Sequence, residues 1–238
     1  MTSPLHFIPG WCLGRGPLND LVKAINGQFI DLPGYHGTPL IEDFAAAVRD
    51  VAAALPENAT LGGWSLGAML ALAVAAEAPT KVGRLVLIAG TPSFVQREGW
   101  PWAMPEAALS EFTRAIAADP EAMLPRFVGG FNRGDGEAKQ VTRQLLETAD
   151  ARPATHTLLS GLQWLLETDL RSAVDRIRAP SLIIQGANDP LMPAGAGQWL
   201  GEHLAGGHLV CIPETAHAPF VSAGPAVIAA IRDFLRDT

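Results

Sequence analysis

The chain has 238 residues, of which 48% are hydrophobic and 17% are charged, and its formal net charge is −7. This apolar content excludes an intrinsically disordered chain, and the acidic balance argues against a nucleic-acid-binding protein, which is normally basic. The longest apolar run, Ala68–Ala76, is too short to span a bilayer, so we expect no membrane association.

Short apolar runs alternate with helical patterns along the chain. Each run is apolar on both faces and is closed by Gly or Pro, which is typical of buried parallel strands. The alternation predicts an α/β fold with a mostly parallel sheet of about six strands flanked by helices. The predicted strands are Leu5–Ile8, Gln28–Leu32, Thr60–Trp64, Leu85–Ala89, Ser181–Gln185 and His208–Ile212, and the clearest helices between and after them are Phe44–Leu55, Leu66–Ala78 and Ala226–Leu235.

One long segment, residues 93–175, interrupts this alternation. It contains no convincing strand, but apolar residues recur at helical spacing in Pro105–Ala118 and Ala138–Ala149. We predict a helical insertion between two strands of the sheet. The insertion is too short to fold alone, so residues 1–238 are expected to form a single domain.

A Gly-Trp-Ser-Leu-Gly motif at Gly63–Gly67 carries the strongest chemical signal. It follows a predicted strand and begins a predicted helix, which is the context of the G-x-S-x-G nucleophile elbow. The turn requires small residues two positions before and after the serine, and it lifts the hydroxyl of Ser65 out of the sheet. The alternative is a glycine-rich turn that merely caps a helix.

A nucleophilic serine needs a base, and the elbow predicts the chain order Ser, then Asp or Glu, then His. Asp189 follows one predicted strand and His217 follows the next, at the edge where open α/β sheets bind ligands. We therefore predict a Ser65–His217–Asp189 triad. Glu214 is a rival acid three residues from His217, and structural roles are expected for the remaining histidines: His6, His36, His156, His203 and His208.

The oxyanion that forms during acyl transfer needs two N–H donors. The Leu66 amide, directly after the serine, is one predicted donor, and the Trp11 amide in the loop after the first strand is the other. Cys12 lies beside Trp11 but lacks a motif of its own, so we interpret it as a small buried residue.

Metal and cofactor signals are missing from the sequence. The two cysteines, Cys12 and Cys211, are too few for a disulfide framework, and no His/Cys cluster or CxxC pair is present. No glycine-rich dinucleotide motif follows a strand, so we expect neither a metal nor another cofactor. No signal peptide is recognised, and we predict a cytoplasmic monomer.

These motifs resemble those of the α/β-hydrolase superfamily and, within it, the pimeloyl-[acyl-carrier protein] methyl ester esterases of biotin synthesis. The resemblance covers nearly the whole chain. It is carried by Pro9–Trp11, Asp31–Gly34, Gly63–Gly67, Glu98–Pro101, Thr168–Arg171 and His217–Ser222.

The resemblance implies that the insertion is a lid over the active site. It implies further that Phe127 and Phe131 face the acyl chain of the substrate. Arg126, Lys139 and Arg143 match basic lid positions that meet an acidic acyl-carrier protein, which would be the partner of this enzyme. Three departures from the family pattern are expected: Pro9 replaces the usual histidine of the oxyanion loop, Ala122 replaces a further basic residue, and the usual N-terminal antiparallel hairpin is missing.

Three functions remain open from the sequence. The resemblance favours a serine carboxylesterase that hydrolyses the methyl ester of pimeloyl-acyl-carrier protein. A carboxylesterase or lactonase acting on small free esters would use the same Ser65, and a non-catalytic binding protein with a hydrolase fold is the third possibility.

Overall fold

The computed structural model describes residues 4–237, which form one six-stranded sheet flanked by helices. The strand order is β2-β1-β3-β4-β5-β6, and every strand pair is parallel. The predicted α/β class and six-stranded parallel sheet are confirmed. The strands are β1 (Leu5–Ile8), β2 (Gln28–Phe29), β3 (Ala59–Trp64), β4 (Val82–Ile88), β5 (Ser181–Gly186) and β6 (Gly207–Ile212).

Helices cover both faces of the sheet and fill the insertion. Within residues 4–237 they are α1 (Asn19–Ala24), α2 (Phe44–Ala54), α3 (Leu66–Glu77), α4 (Glu106–Ala118), α5 (Pro120–Phe131), α6 (Ala138–Thr148), α7 (Thr155–Glu167), α8 (Ala194–His203), α9 (Pro219–Ser222) and α10 (Gly224–Asp237). No helix in this range is both long and apolar enough to cross a membrane.

The strand bounds differ from prediction by more than one residue at two places. The second strand is predicted to reach Leu32 but ends at Phe29, and two residues later the Asp31 carboxylate accepts a hydrogen bond from the Arg15 guanidinium. The fourth strand begins at Val82 rather than at Leu85. Gly83, the second residue of this strand, allows the Asn58 side chain to approach the backbone. A Cβ at Gly83 would lie 2.1 Å from the Asn58 Oδ1.

Helix α3 lies at the centre of the molecule. Every residue from Leu66 to Ala76 is buried, so the helix is apolar on all sides rather than along one stripe. It contacts β1, β3 and β4 of the sheet as well as α2 and the short helical turn Arg171–Arg176. The serine before α3 is therefore anchored to a helix that is buried along eleven of its twelve residues.

The insertion leaves and re-enters the sheet at neighbouring points. Ser93 and Asp169 form an antiparallel bridge, and the Leu170 N–H donates to the Pro92 carbonyl at 2.8 Å. Arg171 hydrogen-bonds Asp169, and this contact lowers the pKa of the Asp169 carboxyl. The segment that contains helices α4 to α7 therefore begins and ends at neighbouring residues that are hydrogen-bonded to each other.

Candidate active site

Ser65 occupies a strained turn between β3 and α3. Its φ of 58° and ψ of −120° lie outside the regions that non-glycine residues normally adopt. The Ser65 N–H donates to the Ile88 carbonyl at 3.0 Å, and its carbonyl accepts from Met69 at 3.1 Å. The backbone on both sides is fixed, so the hydroxyl direction is set by the fold.

The two glycines of the motif permit this turn. A Cβ at Gly63 would lie 2.3 Å from backbone atoms of Gly67, and a Cβ at Gly67 would lie 2.3 Å from the Ile8 carbonyl oxygen. Neither contact can be relieved by moving a side chain, because the atoms involved are backbone. The requirement for small residues around Ser65 therefore has a steric cause in this structure.

The structure brings Ser65, His217 and Asp189 together. The Ser65 Oγ lies 2.9 Å from the His217 Nε2, and the His217 Nδ1 lies 2.8 Å from the Asp189 Oδ2. His217 is 1% exposed and Asp189 is 4% exposed, so both interactions are shielded from water. This is the geometry that a serine nucleophile, its base and the acid that orients the base require.

The Asp189 carboxylate accepts four hydrogen bonds. Its Oδ1 accepts from the Leu191 and Met192 amides at 2.9 Å each. Its Oδ2 accepts from His217 and, at 3.3 Å, from the Gln185 amide. These donors hold the charged carboxylate in one orientation, so that the His217 Nδ1 proton points to a fixed acceptor.

Gln185 was not singled out from the sequence. It is fully buried at the end of β5, and its amide nitrogen also donates to the Met192 carbonyl at 2.6 Å. The sequence signal that could have indicated its role is a glutamine at the end of an otherwise apolar run predicted to be a buried strand.

His217 is also held through its own backbone. The Trp64 indole N–H donates to the His217 carbonyl at 2.9 Å, and the two rings are 5.6 Å apart. Trp64 precedes Ser65 in the elbow, so one residue links the nucleophile turn to the loop of the base.

The predicted oxyanion donors have free amides. Trp11 and Ser65 line the same small cavity, and Leu66 follows Ser65 at the start of α3. Across residues 4–237, neither the Trp11 nor the Leu66 N–H donates a hydrogen bond to another protein group. Both amides are thus available to a ligand oxygen.

The rival groups lie elsewhere. Glu214 is exposed, and the His217 Nδ1 is already bonded to Asp189. Cys12 is buried, and this burial raises the pKa of its thiol well above the usual range. Its backbone N–H donates to the Tyr35 hydroxyl at 3.0 Å, and burial also raises the Tyr35 pKa.

Three of the other histidines make contacts with residues outside the predicted triad or lie on a strand away from it. His36 lies 3.0 Å from Asp150, His203 stacks on Trp199, and His6 lies on β1 with its pKa lowered by burial. Among the described residues, no group of three or more His, Cys, Asp or Glu side chains is arranged to hold a metal ion.

Two cavities adjoin at the insertion. The inner one, at Ser65 and His217, has a volume of about 10 Å³, which is room for about one water. The outer one has about 320 Å³ and is mostly apolar, within the usual range for small-molecule sites. Both are lined by Phe127, Phe131 and Leu191, so these side chains separate the outer space from the serine.

The two phenylalanines belong to an aromatic cluster. The Phe131 ring lies 5.0 Å from the His217 ring, and the Phe127 ring lies 5.3 Å from Trp11 and 5.0 Å from Phe112. Offset and edge-on pairs of this kind fix ring positions. The predicted acyl-chain residues therefore lie beside the predicted triad and oxyanion loop.

The predicted basic residues lie on the surface of the insertion. Arg126 on α5 and Lys139 and Arg143 on α6 are exposed, and Arg126 also lines the outer cavity. Among the described residues, none of the three makes a side-chain hydrogen bond or ion pair. Arg133 lies between these two helices and is also exposed, and within the described residues its side chain makes no hydrogen bond or ion pair.

Comparison with known proteins identifies the family. The sequence model of the family described as the alpha/beta hydrolase family matches residues 7–231. The chain belongs to the alpha/beta hydrolase family. It is 37% identical to a pimeloyl-[acyl-carrier protein] methyl ester esterase from Aromatoleum aromaticum, over 99% of this chain and 100% of that protein.

Two further similarities were found. A biotin biosynthesis bifunctional protein BioHC from Teredinibacter turnerae is 37% identical over 98% of this chain and 45% of that longer protein. An esterase from Exiguobacterium antarcticum superposes with a TM-score of 0.83 at 19% identity, covering 99% of this chain and 93% of that one, which supports the fold. The predicted resemblance is confirmed.

Proposed function

We propose that this hydrolase is a serine carboxylesterase that removes the methyl group from a pimeloyl methyl ester carried on acyl-carrier protein, within biotin synthesis. The hydrogen-bonded series Ser65–His217–Asp189, buried beside an apolar cavity, carries this proposal. The relatives named for the same reaction support the choice of substrate.

In the first step, Ser65 attacks the ester carbonyl while His217 accepts its proton at Nε2. Asp189 stabilises the resulting imidazolium through the Nδ1–H. The carbonyl oxygen becomes an oxyanion, which the Trp11 and Leu66 N–H groups stabilise. The tetrahedral intermediate then collapses, the bond to the methoxy oxygen breaks, and the methoxy group takes the proton from His217 and leaves as methanol.

In the second step, water hydrolyses the acyl-enzyme. His217 removes a proton from the water as its oxygen attacks the acyl carbon, and the same two amides stabilise the second oxyanion. Ser65 leaves with the proton from His217. The product is a free carboxyl group at the end of the pimeloyl chain, which stays attached to its carrier.

The insertion supplies substrate recognition in this proposal. Phe127 and Phe131 contact the acyl chain at the junction of the two cavities. Arg126, Lys139 and Arg143 attract the acidic carrier protein, because they are exposed cations without intramolecular partners. The insertion then acts as the lid, residues 93–175.

The test uses purified protein and pimeloyl-acyl-carrier protein methyl ester. We expect methanol release by the wild type, none by Ser65→Ala, and growth of a biotin auxotroph lacking its methyl esterase when the wild-type gene is supplied. Failure to react with a fluorophosphonate would instead favour a non-catalytic binding protein.

A second candidate is an esterase or lactonase for small free esters. The outer cavity of about 320 Å³ favours it, because a space of this size can hold a small free ester without a carrier protein. A higher kcat/KM for free methyl pimelate than for the carrier-bound ester would favour this candidate.

A further inference from the structure

Asp135 is a buried carboxylate in the loop between α5 and α6. It is 7% exposed, and within residues 4–237 no Lys, Arg or His forms an ion pair with it. Its Oδ1 accepts from the Glu137 N–H at 2.8 Å, which closes a turn within the loop. Its Oδ2 accepts from the Ala216 N–H at 3.1 Å and from the Ser222 hydroxyl at 2.8 Å.

The second oxygen therefore reaches the residue directly before His217. A buried charge without a cationic partner is costly unless several donors stabilise it, and here three neutral donors do so. The same loop makes two more contacts with the catalytic edge. The Gly136 N–H donates to the Glu214 carbonyl at 2.8 Å, and the Asn188 amide donates to the Gly134 carbonyl at 2.8 Å.

These contacts join the loop of the insertion to both acid–base loops. Asn188 precedes Asp189, and its own N–H donates to the Thr215 carbonyl at 2.9 Å. Ala216 packs so closely against β5 that a Cβ at Gly186 would lie 2.0 Å from its carbonyl oxygen. The backbone before His217 is thus held from the sheet on one side and from Asp135 on the other.

We propose that Asp135 is a positioning residue for catalysis, which fixes the His217 loop through the Ala216 N–H and couples the insertion to the base. The inference rests on the proposed esterase function. Without this link the imidazole loses a restraint that keeps its Nε2 facing Ser65, and small displacements of a general base slow proton transfer.

Two substitutions separate this role from local loop structure. Asp135→Asn can keep an acceptor oxygen toward Ala216 and Ser222 while losing the acceptor for Glu137. Asp135→Ser can close the turn with Glu137 through its hydroxyl but is too short to reach Ala216. The two variants therefore lose complementary halves of the interaction.

We expect Asp135→Ser to lower kcat for p-nitrophenyl acetate at least tenfold while KM changes less than twofold. Asp135→Asn should retain kcat within threefold of the wild type. Asp119→Ala is the matched control, because Asp119 caps the N-terminus of α5 at 3.0 Å from the Ala122 amide and touches neither catalytic loop. Its kcat should stay within twofold.

Equal losses in Asp135→Ser and Asp135→Asn, or a kcat of Asp135→Ser within twofold of the wild type, would overturn the inference. If Asp135→Ser does not unfold cooperatively on heating, Asp135→Glu replaces it, since its longer side chain displaces both oxygens. A kcat within twofold for that variant would equally overturn the inference. A wild type without esterase activity would refute the proposed function instead.

Discussion

The catalytic edge of the sheet and the outer surface of the insertion differ in how tightly their side chains are held. At the edge, His217 is bonded at both ring nitrogens and at its backbone carbonyl, and Asp189 accepts four hydrogen bonds. On the insertion, Arg126, Lys139 and Arg143 are exposed and make no such contact within residues 4–237.

This contrast separates chemistry from recognition. Groups that transfer protons must keep one geometry, and burial with several hydrogen bonds provides it. Charges that attract a partner from a distance need no fixed geometry, because they act through the summed field at the surface. Substitutions at the edge should therefore reduce kcat, whereas charge changes on the insertion should alter KM and its dependence on salt.

The largest effect is expected from Ser65→Ala. Removing the nucleophile should lower kcat about 10⁴-fold or more, because the triad acts as a unit. Hydrolysis of p-nitrophenyl acetate measures the loss, and circular dichroism checks that the fold is intact. Near-normal hydrolysis by the purified variant would refute the serine mechanism.

Asp189→Asn should lower kcat by about 10⁴-fold, because an amide at this position favours the wrong His217 tautomer. Glu214→Gln is the matched control, since this exposed side chain also lies near His217 in the sequence, and its kcat should stay within about twofold. A far larger loss in Glu214→Gln than in Asp189→Asn would reassign the acid.

Reversing the charge of the insertion should have a smaller and more selective effect. Between Met123 and Arg143 the chain carries four basic residues and two acidic ones, and the acidic Asp135 is buried. Replacing Arg126, Lys139 and Arg143 together by Glu should raise KM for the carrier-protein ester at least about tenfold, or 1.4 kcal/mol.

The control for this triple variant is a small neutral ester, whose kcat/KM should hardly change. Wild-type KM for the carrier-protein ester should also rise with salt, because the Debye length falls from about 10 Å at 0.1 M to about 3 Å at 1 M. Equal losses on both esters would indicate a damaged insertion rather than lost attraction.

The smallest effect is expected at Cys12. Burial raises its thiol pKa, so almost no reactive thiolate exists near neutral pH, whereas Cys211 is exposed. Iodoacetamide at pH 7.5 should label Cys211 in the native protein without loss of activity and both residues after unfolding, as mass spectrometry would show. Inactivation through native Cys12 would contradict this description of the oxyanion loop.

Much of the sheet and of the elbow could be predicted because their signals are local. Gly63 is required by its contact with the Gly67 backbone four residues later, and buried parallel strands appear as short apolar runs. The chain order of Ser65, Asp189 and His217 was then enough to suggest a triad, which the structure brings within hydrogen-bonding distance.

The remaining features depend on distant packing. Helix α8 is not among the helices predicted from the sequence, because Gly195 and Gly197 lower its helix propensity. Packing explains these glycines: a Cβ at Gly195 would crowd Trp102, and a Cβ at Gly197 would crowd Gln185. Asp135 gave no local signal either, since its partner Ala216 is 81 residues away. Polar contacts between remote loops leave no periodic pattern in a sequence.

The two ends of the insertion lie next to each other, so the insertion could be exchanged as one unit, here called the cassette. Ser93 and Asp169 are hydrogen-bonded neighbours on a bridge, so the chain could pass from one to the other without displacing β4 or β5. Grafting a relative's cassette onto this scaffold is thus a route to new substrate ranges. A graft designed on the role proposed for Asp135 would also keep a carboxylate at that position, because its Oδ2 accepts from the Ala216 N–H beside His217.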